Sequence, residues 1–349
     1  MAVTFVYTTC RPNPALEWFT DSLFIQLIEN KIDPKTVQFI LVDYELQYNP
    51  SRRERFYDDR FDFLHVEPKP CAWQGKYRIT KTNWFCAGVA RNTGICYTKN
   101  EYLFFIDDTC ILAPGSLAYM LECAKKKIVC GFSYRKVFDL KVEYGNIVSK
   151  REEAGGVDSR ITSGGDAFRR IGGGQLWGYN GSPLSVLLSV NGYDEICNSM
   201  GGEDYHYGTR IGALGVPVYY TTNVLFYESE DLAGQEGCFF PRRDPFLGEK
   251  RYKELMQKYD VKTRWYTDGR YDLSHLLLDM LMRGKSWTEG NDYNLTHLRD
   301  HILSGGSFST EFSKDLRSVD DILLTDIYYY RNGEDQVSTK APGNYLIAQ

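Results

Sequence analysis

Two acidic motifs carry the clearest chemical signal in the sequence. Asp107 and Asp108 follow five apolar residues, Tyr102 to Ile106, so two carboxylates emerge at the tip of a buried strand. Carboxylates concentrated there are costly unless a cation or hydrogen-bond donors meet them. The plainer alternative is a loop acid pair that caps the next helix. The second motif is Gly201-Gly202-Glu203-Asp204, which precedes a helix-like segment from Tyr205 to Leu214. Taken alone, its acids read at least as well as charges that favour a helix amino terminus. His297 and His301 lie four apart on a probable helix, a spacing that can bind zinc, but no Glu follows His297 and no third ligand is evident. A solvated helix face is the better reading of that pair.

Strands alternating with helices must position the acids. Val3–Thr9 is a β-branched and aromatic run, and Pro14–Leu27 carries apolar residues near helical spacing. Val37–Asp43 is a second apolar strand ending in an acid, and Phe63–Val66 a third. Thr82–Thr98 reads as a helix delivering the chain to the Tyr102–Ile106 strand, Pro114–Lys126 as a helix, and Ile128–Tyr134 as a strand. This alternation implies a parallel sheet whose ligand loops lie at the carboxyl ends of its strands. Lys150–Gly174, rich in Gly, Ser and charge, suits a mobile loop. Beyond Pro241, helical patterns predominate at Lys250–Tyr259, His275–Met282 and Leu295–Leu303.

Composition sets the bounds. A chain of 349 residues with 43% hydrophobic and 25% charged residues can bury a large core, which argues against disorder. No apolar run reaches the roughly 20 residues that span a bilayer, so no transmembrane segment is expected. The start lacks a secretion signal, and a cytoplasmic location is the expectation. Nine cysteines without a CxxC pair read as buried small hydrophobes rather than a disulfide framework. A net charge of −5 disfavours a surface that embraces nucleic acid throughout. The basic pairs Arg242-Arg243 and Lys250-Arg251, with Arg160, Arg169 and Arg170, leave a local basic groove open.

Together the motifs resemble glycosyltransferase family 2 and its relatives with the type A nucleotide-diphospho-sugar transferase (GT-A) fold. The resemblance rests on Ala87-Gly88-Val89-Ala90-Arg91-Asn92-Thr93-Gly94-Ile95, then Glu101 to Thr109, then Ile111-Leu112-Ala113-Pro114-Gly115-Ser116-Leu117, in order and spacing. Gly173-Gly174, Val190-Asn191-Gly192-Tyr193-Asp194-Glu195 and Gly202-Glu203-Asp204 are similar to the family's acceptor-side block. It covers roughly residues 1 to 230. What it implies is an α/β fold, with a Rossmann-like, mixed, mainly parallel sheet flanked by helices and a mostly helical C-terminal appendage. The catalytic domain would span 1–240, with about 1–110 as the nucleotide-binding half and 111–240 as the acceptor half. Residues 241–349 would form the helical extension.

Carried over residue by residue, the resemblance assigns Thr8, Thr9, Arg11, Asp43, Arg91, Asn92 and Asp107 to the donor, a nucleotide-diphosphate sugar whose nucleotide in the family is most often uridine diphosphate. Asp204 would be the general base of an inverting transfer and Glu203 would hold the acceptor, with Trp177 and Gly202 lining its site. The family's usual motif is Asp-x-Asp, and Thr109 stands at its second Asp, so Asp108 must take over the metal. Glu228 would be a late ligand, and Mn or Mg suits such oxygen donors. The acceptor is a hydroxyl group on a saccharide, a lipid-linked intermediate, a protein or a hydroxylated base in nucleic acid. Two rival readings stay open: a nucleotidyltransferase-like enzyme, and a noncatalytic binding protein on the same scaffold, for which Thr109 is the one positive hint.

Overall fold

Thr4–Thr9 (β1) is buried along its whole length, and its β-branched and aromatic side chains suit a strand covered on both faces. Next come Leu16–Glu29 (α1), Gln38–Asp43 (β2), Arg52–Arg55 (α2), Asp62–Val66 (β3) and Ala87–Tyr97 (α3). The acidic strand Tyr102–Asp107 (β4) leads through a tight turn to Cys110–Leu112 (β5) and Ser116–Lys126 (α4). The second half comprises Val129–Glu143 (β6), Asn146–Val157 (β7), Arg169–Ile171 (β8), Asn180–Pro183 (β9), Leu184–Ser189 (α5), Glu203–Ala213 (α6), Val218–Ser229 (β10) and Glu230–Ala233 (α7). Leu295–Leu303 (α8) completes it. This computed structural model describes residues 2–70, 85–158, 160–161, 167–193, 195, 203–233 and 294–308. Gly202, Cys71, Cys197, Cys238 and the helical patterns expected at 250–259 and 275–282 lie outside them.

The strands run in the order β3-β2-β1-β4-β9-β6-β10-β5, with β7 paired to β6 and β8 to β10. β3, β2, β1 and β4 are mutually parallel. β9 runs against both β4 and β6, so β6 and its parallel neighbour β10 point the same way as β4. Apart from β9 and the terminal β5, that row is therefore parallel, the mixed and mainly parallel sheet expected from the sequence.

Alternation along the strands divides the core into two layers. Phe5, Tyr7, Phe39, Phe104 and Ile106 meet Phe19 and Leu23 of α1 and Leu117 and Met120 of α4. Val6, Ile40, Val42, Leu103 and Phe105 meet Ala90 and Ile95 of α3, Tyr207 and Ile211 of α6, and Leu295 and Leu298 of α8. α8 is thus part of the second layer, where Arg299 also donates to the Thr98 carbonyl at 2.9 Å. Its His297 and His301 are exposed, and His301 bonds the Ser307 carbonyl, as a solvated face requires.

The segment from Lys150 to Gly174, expected as a loop, is largely strand among its described residues. β6 continues past Tyr134 to Glu143 and offers β7 a long partner, and β8 adds to β10. Local composition could not reveal that pairing, because the partner strand supplies the hydrogen bonds. The six cysteines among the described residues are buried, as small core hydrophobes should be.

Candidate active site

The carboxyl ends of β1, β2 and β4 lie side by side, Thr8 in register with both Val42 and Asp107. On β2, Asp43 is fully buried. Arg52 donates to it through Nε at 2.7 Å and Nη2 at 3.1 Å, the Glu45 N–H at 3.0 Å, and His65 Nε2 lies 3.0 Å away. Arg52 also donates to the Arg11 and Pro12 carbonyls. Asp43 therefore braces the loop after β1 from inside and presents no exposed oxygen to a nucleotide.

Asp108 is paired differently. Its Oδ1 accepts from Arg11 Nε at 2.9 Å and its Oδ2 from the Thr9 hydroxyl at 2.7 Å. Arg11 Nη1 reaches on to the Leu232 carbonyl of α7. Thr109 is fully buried with φ of 60°, left-handed geometry that is strained for a β-branched residue. Its N–H donates to the Pro14 carbonyl and the Tyr7 hydroxyl, and its own hydroxyl has no hydrogen-bond partner among the described residues. Burial keeps the Tyr7 phenol protonated well above its ordinary range, so it also donates to Pro14. The turn thereby sends Thr109 inward and leaves Asp108, 13% exposed, at the cleft.

Arg91 joins the two acidic motifs. From α3, 2% exposed, it pairs through Nη1 with Glu203 and through Nη2 with Asp107 at 3.1 Å, and it lies 5.2 Å from the Tyr193 ring centroid. Burial alone would weaken its charge, but Glu203 and Asp107 outweigh burial and raise its pKa. Next to it, Asn92 brackets the Tyr193 backbone, donating to its carbonyl and accepting from its N–H, each at 2.8 Å, and also donates to Glu195. Asn92 thus holds the chain at Tyr193 and Glu195.

On the far side of Arg91, α6 lies directly against residues 173–175. A Cβ on either Gly173 or Gly208 would overlap the other's backbone. That approach lets the Gly178 N–H donate to Asp204 Oδ2 at 2.7 Å, while the Tyr205 N–H donates to Oδ1 at 2.6 Å. Asp204 is partly exposed with its carboxylate oriented by backbone. Trp177, half-buried beside it, donates to the Gly174 carbonyl, and the buried Arg160 guanidinium lies 4.9 Å from its ring centroid.

Glu228, near the end of β10, stands opposite Cys110 in the sheet and so beside the Asp107–Asp108 turn. Tyr179 donates to it at 3.4 Å and Lys136 lies 3.6 Å away. Burial pushes its carboxyl up to about 7, with Lys136 pulling down and Asp107 and Asp108 pushing up. Burial likewise pushes Glu203 up to about 7, with Arg91 opposing and Asp204 and Asp107 adding to it. Among the described residues, six carboxylates, Asp107, Asp108, Glu203, Asp204, Glu228 and Glu230, lie in this region with three cations, Arg11, Arg91 and Lys136. Hard oxygen donors of this kind are those that Mg and Mn prefer. Among the described residues, however, no group of three or more His, Cys, Asp or Glu side chains is arranged to hold a metal ion.

Sequence reasoning missed Arg52, Tyr7, Lys136 and the Gly178 N–H. Only the excess of acids at strand ends hinted that such partners were needed; their positions depend on long-range pairing.

No protein-family model matches the sequence, and no curated protein matches it. Among solved structures, the fold is similar to S. aureus TarS 1-349 in complex with UDP-GlcNAc, at 12% identity and a TM-score of 0.45, over 99% of this chain and 90% of that one. It is also similar to GalNAc-T7 with UDP, GalNAc and Mn2+, at 12% identity and a TM-score of 0.45, over 91% of this chain and 57% of that one. The chain spans 45% of the longer S. aureus TarS chain, with a TM-score of 0.43. At TM-scores below 0.5 these likenesses carry no weight for individual residues, whose roles rest on this chain's own geometry.

Proposed function

We propose that the chain is an inverting glycosyltransferase that moves a sugar from a nucleotide-diphosphate sugar, with uridine diphosphate as the nucleotide, to a hydroxyl acceptor. The observation that carries this reading is the Arg91 bridge. One buried guanidinium joins Asp107 at the end of β4 to Glu203 at the start of α6, so two motifs far apart in sequence are held together.

In the proposed reaction, Thr8, Thr9 and Arg11 receive the nucleotide and its diphosphate at the end of β1. Asp204, oriented by the Gly178 and Tyr205 N–H groups, accepts the proton of the acceptor hydroxyl. The acceptor oxygen forms its bond to the anomeric carbon from the face opposite the leaving group. The bond from that carbon to the diphosphate oxygen breaks, and its electron pair leaves with the diphosphate. The configuration inverts because the displacement is direct. Arg11, at the end of β1, would stabilise the departing phosphate. A Mn or Mg ion held by Asp108 and Glu228 would neutralise part of the same charge. Trp177, backed by Arg160, offers a flat ring to an acceptor, which suits the apolar face of a saccharide.

Residues 1–240 are the proposed catalytic domain; 241–349 are proposed as an extension, although its α8 packs into the core of that domain and so cannot be a separate appendage. The proposed location is cytoplasmic; no helix among the described residues is long and apolar enough to cross a membrane. Incubation with a panel of nucleotide sugars, with Mn and with Mg, tests the reading. Slow release of the nucleotide diphosphate from one member supports it, whereas no release from any, or release of pyrophosphate instead, rejects it.

A further inference from the structure

Arg160 carries a buried charge that the bond-making steps of the proposed transfer do not use. Its guanidinium, 1% exposed, is neutralised by the buried Asp158 carboxylate, to which Nε donates at 2.9 and 3.1 Å and Nη2 at 2.7 Å. Tyr220 of β10 donates to the same carboxylate at 3.1 Å, and its ring centroid lies 4.6 Å from the guanidinium carbon. Such a pair is weak evidence for stability, since the cost of taking two charges out of water offsets their attraction. What the remaining donors hold is more telling.

Nη1 donates to the Gln175 carbonyl and Nη2 to the Phe132 carbonyl of β6, each at 2.9 Å. Phe132 in turn donates its N–H to the Tyr179 carbonyl at 2.9 Å. One guanidinium thus ties residue 175 to the strand that holds residue 179, and Gly178 lies within that bracket. Contacts inside the bracket tighten it: the Trp177 ring centroid is 4.9 Å from the guanidinium carbon, Trp177 donates to the Gly174 carbonyl at 3.0 Å, and Asn180 donates to the Gly178 carbonyl at 2.7 Å. β6 leaves room for the guanidinium at Gly131, where a Cβ would stand 3.0 Å from Nη1. A planar fork with donors on separate arms can span two carbonyls, whereas an ammonium is a single point of charge.

We propose that Arg160 is a positioning residue for Asp204: by bracketing residues 175–179 it sets the Gly178 N–H against Asp204 Oδ2, 2.7 Å away. Arg160 acts through the Gly178 backbone and meets no reacting atom. A misplacement of about 1 Å can cost on the order of a hundredfold in rate, so a clamp several residues from the base governs transfer. The role rests on the reading of Asp204 as the base.

The test pairs a measurement free of activity with a double-mutant cycle. Asp158→Asn combined with Arg160→Gln removes both buried charges together, so neither is left unpaired. In the full chain isotope-labelled at glycine, exchange of the Gly178 amide followed by NMR should quicken at least about tenfold in this variant. Unchanged exchange overturns the clamp and leaves the proposed function standing. With the nucleotide sugar and acceptor identified from a panel, transfer kcat should fall at least about tenfold while UDP affinity stays within about twofold. In the Asp204→Asn background the same two substitutions should cost less than about twofold, because the base they position is already lost. An equal loss of transfer in both backgrounds overturns the positioning role and marks a merely structural pair. If the combined variant does not fold, Arg160→Lys takes its place: the charge against Asp158 is kept, the two-carbonyl span is lost, and smaller changes in the same direction are expected. A wild type that transfers no sugar overturns the proposed function and the role of Arg160 in it, whatever the amide exchange shows.

Discussion

Asp43 and Asp204 each stand at the end of an element and each accept a hydrogen bond from a backbone N–H, yet they are left in opposite states. Asp43 is fully buried and taken up by Arg52 and His65. Asp204 is partly exposed and, among the described residues, is oriented by backbone N–H groups in a region with more acids than cations. The difference teaches that a carboxylate's position at a strand end or helix start does not make it available. Its partners decide, and at the ends of β1, β2 and β4 those partners are the chain's own arginines.

If Asp43 is a brace, its loss should register as stability. Asp43→Ala leaves Arg52 buried without its partner, and breaking such a pair typically costs about 3 to 5 kcal/mol, so urea unfolding should shift by that order. A variant of near wild-type stability that has lost UDP binding would return Asp43 to the nucleotide site. Thr109→Asp, which restores the familiar motif on paper, places a carboxylate at a fully buried position with left-handed backbone. It should destabilise the fold by roughly 2 kcal/mol or more without improving Mn2+ binding. A stable variant with tighter Mn2+ binding would show that the turn can reverse.

The acceptor side should reveal itself through pH. The Glu203 carboxyl, raised to about 7 in the fold, is protonated there across an interval in which the unfolded chain has already ionised. Its contribution to stability is complete below the ordinary value of about 4.3 and is lost as pH rises through about 7. In Glu203→Gln, the fall in urea midpoint between pH 5 and pH 7.5 should shrink. An unaltered slope would mean that Arg91 keeps Glu203 ionised throughout. The smallest effect is expected at Trp177→Phe, which keeps a ring above Arg160 and loses the bond to Gly174. Stability should drop by about 1 kcal/mol at most, and donor hydrolysis without acceptor should stay within about twofold. A larger loss of hydrolysis would move Trp177 to the donor.

The parallel half was legible because its signals are local. An apolar run ending in Asp107-Asp108 and helical spacing in Pro14–Leu27 need no distant information, and α8 falls on Leu295–Leu303, where its periodicity placed it. The β6–β7 hairpin was not legible, because residues 146–157 take their structure from a strand whose length the sequence understates. In the cleft the acids could be found but their pairing could not. Arg11 and Arg91 were expected to face a nucleotide, and the structure turns them to Asp108 and to Glu203 with Asp107. Arg52 gave no signal in RRER, where only its burial separates it from its exposed neighbours Arg53 and Arg55.

The account turns on Asp204, and Asp204→Asn tests it most directly because size and hydrogen bonding are kept while basicity is lost. With the nucleotide sugar and acceptor identified from a panel, transfer rate and product anomer are measured alongside melting temperature and donor affinity. Transfer should fall at least about a hundredfold with melting and donor affinity nearly unchanged, and the wild-type product should carry the anomer opposite to the donor's. Near wild-type transfer by the asparagine variant, or a product of retained configuration, would contradict the assignment of Asp204 as the inverting base.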